Sequence, residues 1–393
     1  MDKHSKRSAS IFRYPVLVAF TLFFAGLFLL DLVTPDRAYS ELENTTLSQR
    51  PGLSSVSADG LNKFFTAYTK YVKDQVAGRD NWVALQSTVE TKVMQKEQSG
   101  GILLGKQQMM FPRTYGLVSS ETRTLPKNTA ALEALCQRYP GKVNVMLVPA
   151  ASAIYPENVP AGAPLLDEGC YLDSLSDAVQ AAGGRFVDVR QTLTAHKDEY
   201  IYYRTDHHWT SLGAYYAYCA AAKTLGYSAY TLDQFNIETA SSSFRGTLYS
   251  KTLDNGVTPD SIDYFHLASG GPKVKMTVFD GTKETVYDSL YVRSYLDVKD
   301  KYSSFTGSNS PIVTIETDVD NGKNLLLIKD SYAHSLVPFL ANHYSKITMV
   351  DMRYINVDLG RLIDLSEYQQ AMFMYNAVTF SSDLTIKRIS LTK

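Results

Sequence analysis

Two short segments far apart in the chain hold residue types that together can carry out acyl transfer. Thr205-Asp206-His207-His208-Trp209-Thr210 packs a carboxylate and two imidazoles into one loop. Leu325-Leu326-Leu327-Ile328-Lys329-Asp330-Ser331-Tyr332 sets a serine just past an apolar run. Serine is a poor nucleophile at neutral pH and needs a base, and that base needs a group to orient it. Ser331 is the candidate nucleophile, His208 the base and Asp206 the carboxylate that holds the imidazole tautomer. Residues two apart on an extended loop share a side. Asp206 and His208 are therefore expected to face together, and His207 to point away, towards structure or substrate. Tyr332, adjoining the serine, joins His207 as a candidate substrate contact. His334, one helical turn after Ser331, is a rival base, but it would leave Asp206 without a role.

Other readings compete for the same residues. Asp330 or Ser331 can be simply a helix N-cap, the commonest job for either type. Asp206, His207 and His208 with the distant His343 could bind zinc, yet adjacent histidines rarely face one ion, and no His-Glu-x-x-His or cysteine pair occurs. Nothing singles out the paired carboxylates of a glycosidase. The expectation is a site with no metal and no cofactor.

The elements that must position these residues read as α/β. Leu325 to Ile328 is a continuous apolar run, as in a strand covered on both faces. A serine at its end lies at the carboxyl edge of a sheet, where open α/β folds place ligands, and the amides of a following helix can meet an oxyanion. A helix near 128–138 precedes the strand Val143–Pro149, and one near 171–182 precedes Arg185–Val189. The histidine loop leads into a helix over about 211–225, capped by Thr210 or Ser211. Residues 226–322 read as a β-rich insertion beside the site. The alternation then resumes with strand 324–329, a helix to about 342, strand 347–351 and a last strand near Ala377–Phe380. Such alternation implies a parallel sheet flanked by helices. Helical spacing also recurs over 61–72 and 82–95 on either side of Gly78-Arg79-Asp80, and Gly100–Phe111 has the shape of a β-hairpin.

Charge and the termini narrow the class. The 393 residues carry 39 Lys+Arg against 40 Asp+Glu, a balance that argues against nucleic-acid binding. Lys3, Lys6, Arg7 and Arg13 precede an apolar run from Pro15 to Leu30, extended by Leu32 and Val33. That run exceeds the roughly 7–15 residues of a signal-peptide core and approaches the roughly 20 that span a bilayer. The expected organisation is a cytoplasmic tail and transmembrane signal anchor over 1–34, a polar stalk over 35–57, and an extracytoplasmic α/β domain over 58–393. A cleaved signal peptide, with Ala38-Tyr39-Ser40 as the site, is the rival. Cys136, Cys170 and Cys219 form no disulfide framework, and a Cys136–Cys170 bridge is left open.

The chain resembles the bacterial DHHW proteins, whose motif stands here as Asp206-His207-His208-Trp209, and through them the alginate O-acetyltransferase proteins of the SGNH hydrolase class. The resemblance runs through Ser40-Glu41-Leu42-Glu43-Asn44, Gly78-Arg79-Asp80 with Trp82, Gly105-Lys106, and Pro149 with Ile154-Tyr155-Pro156. It continues through Phe244-Arg245-Gly246, Phe305-Thr306-Gly307, Lys329-Asp330-Ser331-Tyr332 and Asp351-Met352-Arg353-Tyr354. It implies an SGNH-like fold and a triad of Asp206, His208 and Ser331, with Arg353 as a substrate-binding arginine. Lys329 departs from the small residue usual before the Asp-Ser pair. The Asn and Gly oxyanion donors of ordinary SGNH enzymes have no assignable position. The implied activity is an anchored O-acetyltransferase or acetylesterase acting on a cell-surface polysaccharide, with a multi-pass membrane acyltransferase as acetyl source. The alternative is a non-catalytic protein that uses the same cleft to bind glycan or organise an envelope assembly.

Overall fold

A computed structural model describes residues 14–389 apart from 41, 42, 44, 53–56, 115–117 and 164. The basic residues Lys3, Lys6, Arg7 and Arg13, part of the expected stalk, and part of the Ser40–Asn44 segment lie outside the described residues. Contacts divide the chain into two compact units, Met1–Val89 and Glu90–Lys393.

In the smaller unit, helix Pro15–Val33 covers 19 residues, followed by helices Ala58–Gln75 and Arg79–Thr88. Ser57 caps the second helix by accepting from Gly60 N at 3.1 Å. Gly78 separates the second helix from the third in a left-handed conformation, φ 69°, that few side chains tolerate. The Asp80 carboxylate pairs with Arg37 at 2.8 Å, and Arg79 pairs with Glu43. Among the described residues no helix is long and apolar enough to cross a membrane, so the expected transmembrane helix is not supported here. Leu32, part of the apolar run, lies outside the described side chains.

The larger unit is built on an eight-stranded mixed sheet. Its strands in chain order are β1 Val143–Val148, β2 Arg185–Phe186, β3 Val274–Phe279, β4 Glu284–Tyr287, β5 Ile312–Thr317, β6 Asn324–Lys329, β7 Lys346–Val350 and β8 Gln370–Asn376. Across the sheet the order is β4-β3-β5-β7-β6-β8-β1-β2. The run from β7 to β2 is parallel, whereas β5, β3 and β4 extend it antiparallel. Side chains alternate between two cores. Leu325, Leu327, Met372 and Met374 face helix Ser211–Leu225, while Leu326, Ile328, Phe373 and Tyr375 face helices Val118–Arg138 and Glu168–Ala181.

Three expectations need correction. The sheet is mixed, not parallel throughout, because part of the supposed insertion pairs along the β7 edge and satisfies amides that would otherwise be open. Only Phe235–Phe244 and Asp260–Leu267 stand apart, as a two-stranded antiparallel sheet. The last strand is Gln370–Asn376, and Ala377–Ser382 is a helix, since the Asn376 side chain accepts from Val378 N and Thr379 N. The long helix expected after Ser331 is a 3-10 turn, Ser331–Ser335, then a short helix, Val337–Leu340, with Pro338 in its first turn. Gly100–Phe111 does contain the expected hairpin, Ile102–Leu104 against Met110–Pro112. All three cysteines are unbridged, Cys136 buried and Cys170 exposed.

Candidate active site

Because β1, β6, β7 and β8 are parallel, their carboxyl ends share one edge. Asp330, at the end of β6, caps the following turn: its Oδ1 accepts from Tyr332 N at 2.9 Å and its Oδ2 from Asn376 N at 2.7 Å. Asn376 Nδ2 in turn donates to Val148 O at 3.0 Å, tying three strand ends together. The capping role therefore belongs to Asp330, and the Ser331 hydroxyl is free for other work.

That hydroxyl lies 2.7 Å from His208 Nε2, and His208 Nδ1 lies 2.5 Å from Asp206 Oδ1. All three residues are buried, Ser331 retaining 9% exposure. The histidine loop is bent, not extended, and an isolated bridge between Tyr202 and Trp209 closes it. Asp206 Oδ1 also accepts from His208 N at 3.0 Å, an Asx-type turn that folds the carboxylate back onto the ring. Asp206 and His208 thus meet through this turn and not through the shared side of an extended loop, and His207 does not point away. Its ring centroid lies 3.9 Å from that of His208, and its Nδ1 meets Thr247 Oγ1 at 2.8 Å.

Residues of the supposed insertion hold this loop in place. Thr247 gives Asp206 Oδ2 two hydrogen bonds, from its N at 2.8 Å and its Oγ1 at 3.0 Å. Gly246 permits that approach, since a Cβ there would lie 2.3 Å from Asp206 Cβ and Oδ2. Asp260 Oδ2 accepts from Thr205 N at 2.8 Å, and its Oδ1 from Arg204 N at 3.0 Å. Tyr302 stacks on His208 at 3.8 Å and 8°, and its hydroxyl donates to Ser331 O at 3.0 Å. Sequence reasoning missed Gly246, Thr247, Asp260 and Tyr302 as parts of the site. The available signals were the Phe244-Arg245-Gly246 and Phe305-Thr306-Gly307 pieces of the resemblance.

Burial drives the Asp206 carboxyl upward, but the charges of His207 and His208 and the hydrogen bonds from His208 and Thr247 outweigh it. The group is held well below the ordinary carboxylate range and stays ionised. Burial and then the His208 charge push His207 down against the pull of Asp206, although a side-chain exposure of 35% leaves water to moderate the shift. Ligand atoms of Asp206, His207 and His208 lie within 4.8 Å of one another. Both ring nitrogens of His208 are already hydrogen-bonded, Nδ1 to Asp206 and Nε2 to Ser331, so a metal held by His208 would displace one of those bonds.

The remaining candidates occupy other surroundings. Tyr332 is buried, packs against Trp209 and His208, and donates its hydroxyl to His207 O, so it braces the loop and is not a surface contact. Arg353 is tied to Asp351 at 2.6 and 2.8 Å, with 29% side-chain exposure. His334 Nδ1 meets Thr306 Oγ1 at 2.5 Å and its Nε2 meets Lys329 Nζ at 2.8 Å, so its ring nitrogens are engaged away from Ser331. Lys329, buried at the end of β6, also pairs with Asp351 at 3.2 Å. His343 meets Tyr218 instead of Asp206.

A hydrogen-bonded Asp-His-Ser series at the carboxyl edge of an α/β sheet is the arrangement of serine acyl-transfer and hydrolytic enzymes. A family model described as DHHW protein matches residues 175–350, a stretch that holds all three residues. The chain is 27% identical over 184 residues to the probable alginate O-acetylase AlgJ of Pseudomonas aeruginosa. That match covers 44% of this chain and 46% of AlgJ, a little under half the length of that curated relative. The crystal structure of a DHHW family protein from Eubacterium siraeum superimposes with TM-score 0.61 at 26% identity, covering 75% of this chain and 98% of that one. Bacillus cereus PatB1 shares the fold, with TM-score 0.57 at 18% identity, over 72% of this chain and 97% of its own.

Proposed function

We propose that the chain is a serine O-acetyltransferase or acetylesterase of the SGNH type acting on a cell-surface polysaccharide. The observation that carries this reading is the continuous series from Asp206 through His208 to Ser331, at 2.5 and 2.7 Å. His208 Nε2 takes the Ser331 proton as Oγ attacks the acyl carbonyl, and returns it to the departing oxygen. A sugar hydroxyl or water then gives its proton to His208, attacks the acetyl-serine, and releases Ser331 Oγ, which recovers the proton. Asp206 remains ionised and steadies the imidazolium. Asp330 already takes up the amides of Tyr332 and Ala333, which leaves the Ser331 amide for the oxyanion.

Similarity to a protein named for alginate O-acetylation supports the polysaccharide as acceptor. The acetyl source implied by the resemblance is a multi-pass membrane acyltransferase. An extracytoplasmic location, with the chain held by its N-terminal helix, is part of the proposal. It rests on the sequence, where basic residues precede the apolar run that begins at Pro15.

One experiment tests the whole reading. A membrane-impermeant activated acetyl ester is given to intact cells, and the full-length protein is recovered for peptide mass analysis. Acetyl-Ser331 is expected, and Ser331→Ala should lose the label with its secondary structure intact. Label that persists on another side chain in Ser331→Ala overturns the nucleophile. Label that appears only after lysis overturns the location.

A further inference from the structure

In Phe244-Arg245-Gly246, two residues already have work. Phe244 packs edge-on against Tyr203 at 5.1 Å, and Gly246 admits Asp206. Arg245 has none in the triad. Its guanidinium lies over the Tyr249 ring, 4.6 Å from the centroid, and its Nη1 reaches Asn255 Oδ1 at 3.4 Å. Lys299, from a separate segment, holds its Nζ over the same ring, also at 4.6 Å. Tyr249 is itself buried, and its hydroxyl donates to Asn255 Oδ1 at 2.6 Å.

Two cations therefore share one ring, and among the described residues neither has a carboxylate within ion-pair distance. Elsewhere the half-buried or buried cations Arg79, Arg190, Lys329 and Arg353 all have acidic partners. Asp300, next to Lys299 in sequence, turns its carboxylate to Ser303 Oγ at 2.6 Å instead. Burial, and then the Arg245 charge, push the Lys299 ammonium down to about 8. A cation over an aromatic ring gains modestly, but a second cation beside it adds repulsion that the ring does not remove.

The position is as informative as the charge. Arg245 and Tyr249 flank Thr247, which bonds both Asp206 and His207. Lys251, exposed in the same short helix, has a field that reaches His207. An anion held by Arg245 and Lys299 would offset their repulsion, and Arg245 lies two residues from Thr247, which bonds Asp206 and His207.

We propose that Arg245 and Lys299, set over Tyr249 beside the triad, form a subsite for an acidic group, carboxylate or phosphate, on the polymer whose hydroxyl is acylated. This rests on the reading of the site given above. The guanidinium supplies a planar fork and the ammonium a point charge, a combination suited to either oxyanion. Such a contact fixes which stretch of an acidic glycan stops at Ser331, and neutral glycans lack it.

The test is calorimetric titration of the purified full-length protein with three oligomers of equal length: an oligogalacturonate, a glycerol-phosphate oligomer and a neutral chitooligosaccharide. At least one acidic oligomer should bind about tenfold or more tighter than the neutral one, with affinity falling as salt rises. The arm that wins identifies carboxylate or phosphate. Arg245→Gln combined with Lys299→Gln should remove that advantage. Equal binding of acidic and neutral oligomers, binding insensitive to salt, or an acid preference that survives the double substitution each overturns the proposal. If the double variant melts early, Lys299→Gln alone and the salt slope of the unaltered protein carry the same decision. Protein that acetylates Ser331 yet shows no acid preference fails this proposal alone. Protein that prefers acid oligomers yet never labels fails the triad alone.

Discussion

Replacing Asp206 by asparagine keeps the volume and removes one charge and one acceptor. In the native site Oδ1 serves two donors, His208 N at 3.0 Å and His208 Nδ1 at 2.5 Å. Oδ2 serves two more, Thr247 N at 2.8 Å and Thr247 Oγ1 at 3.0 Å. An amide has one acceptor oxygen and so cannot satisfy both backbone amides. With its oxygen towards His208, the amide nitrogen faces Thr247 N–H and leaves that donor orphaned. With its oxygen towards Thr247, the nitrogen faces His208, strands the His208 amide, and favours the tautomer whose Nε2 proton points at Ser331. Either way one buried donor goes unpaired, a cost of about 1–3 kcal/mol in stability. In both orientations the imidazolium loses its counter-charge, and the expected fall in turnover is about three to four orders of magnitude. The assay is the rate of Ser331 acetylation by a small activated ester, followed by intact-protein mass, with calorimetric melting on the same samples. Acetylation at the native rate in folded Asp206→Asn protein would refute the role given to this carboxylate.

Two further outcomes follow from the packing. Gly246→Ala puts a Cβ 2.3 Å from Asp206 Oδ2, so the loop must shift; a displacement of about 1 Å costs about a hundredfold in rate, and native acetylation kinetics would contradict the reading. Glu168 is buried, accepts from Ala150 N at 2.9 Å, and has its carboxyl pushed from 4.5 up to about 7 by burial, against that hydrogen bond. Between pH 4.5 and about 7 the folded chain holds a proton that the unfolded chain gives up. Its contribution is therefore complete below that window and is lost as pH rises through it, by about 3 kcal/mol in all. Glu168→Gln should become progressively more stable than the native protein across this range in denaturant titrations, and a pH-independent difference would show that Glu168 is already ionised.

Signals carried within a few residues were legible in the sequence. Helix Ser211–Leu225 was bounded correctly because Thr210 supplies the N-cap and Gly226 the left-handed C-cap, φ 70°. Strand Asn324–Lys329 was bounded correctly because four consecutive apolar residues suit a strand covered on both faces. The residue types needed for acyl transfer, Asp206, His208 and Ser331, were also readable, because their chemistry is local to each side chain. What joins them is not local. His208 and Ser331 are 123 residues apart, and their 2.7 Å contact depends on β6 lying in the middle of the sheet and on the loop closed by Tyr202 and Trp209. Strand pairing likewise decided the edge at which β5, β3 and β4 joined, since a short alternating strand carries no mark of its partner. The last strand was misplaced because Ala377-Val378-Thr379-Phe380 has strand composition, while the Asn376 side chain captures the amides that begin a helix. Thr247, Gly246 and Tyr302 acquire their contacts only where a backbone amide, a missing Cβ and a ring face meet Asp206 and His208 in space. Composition and short-range pattern determine which groups the chain can offer and most of its elements; long-range burial and hydrogen bonding decide which of those groups touch.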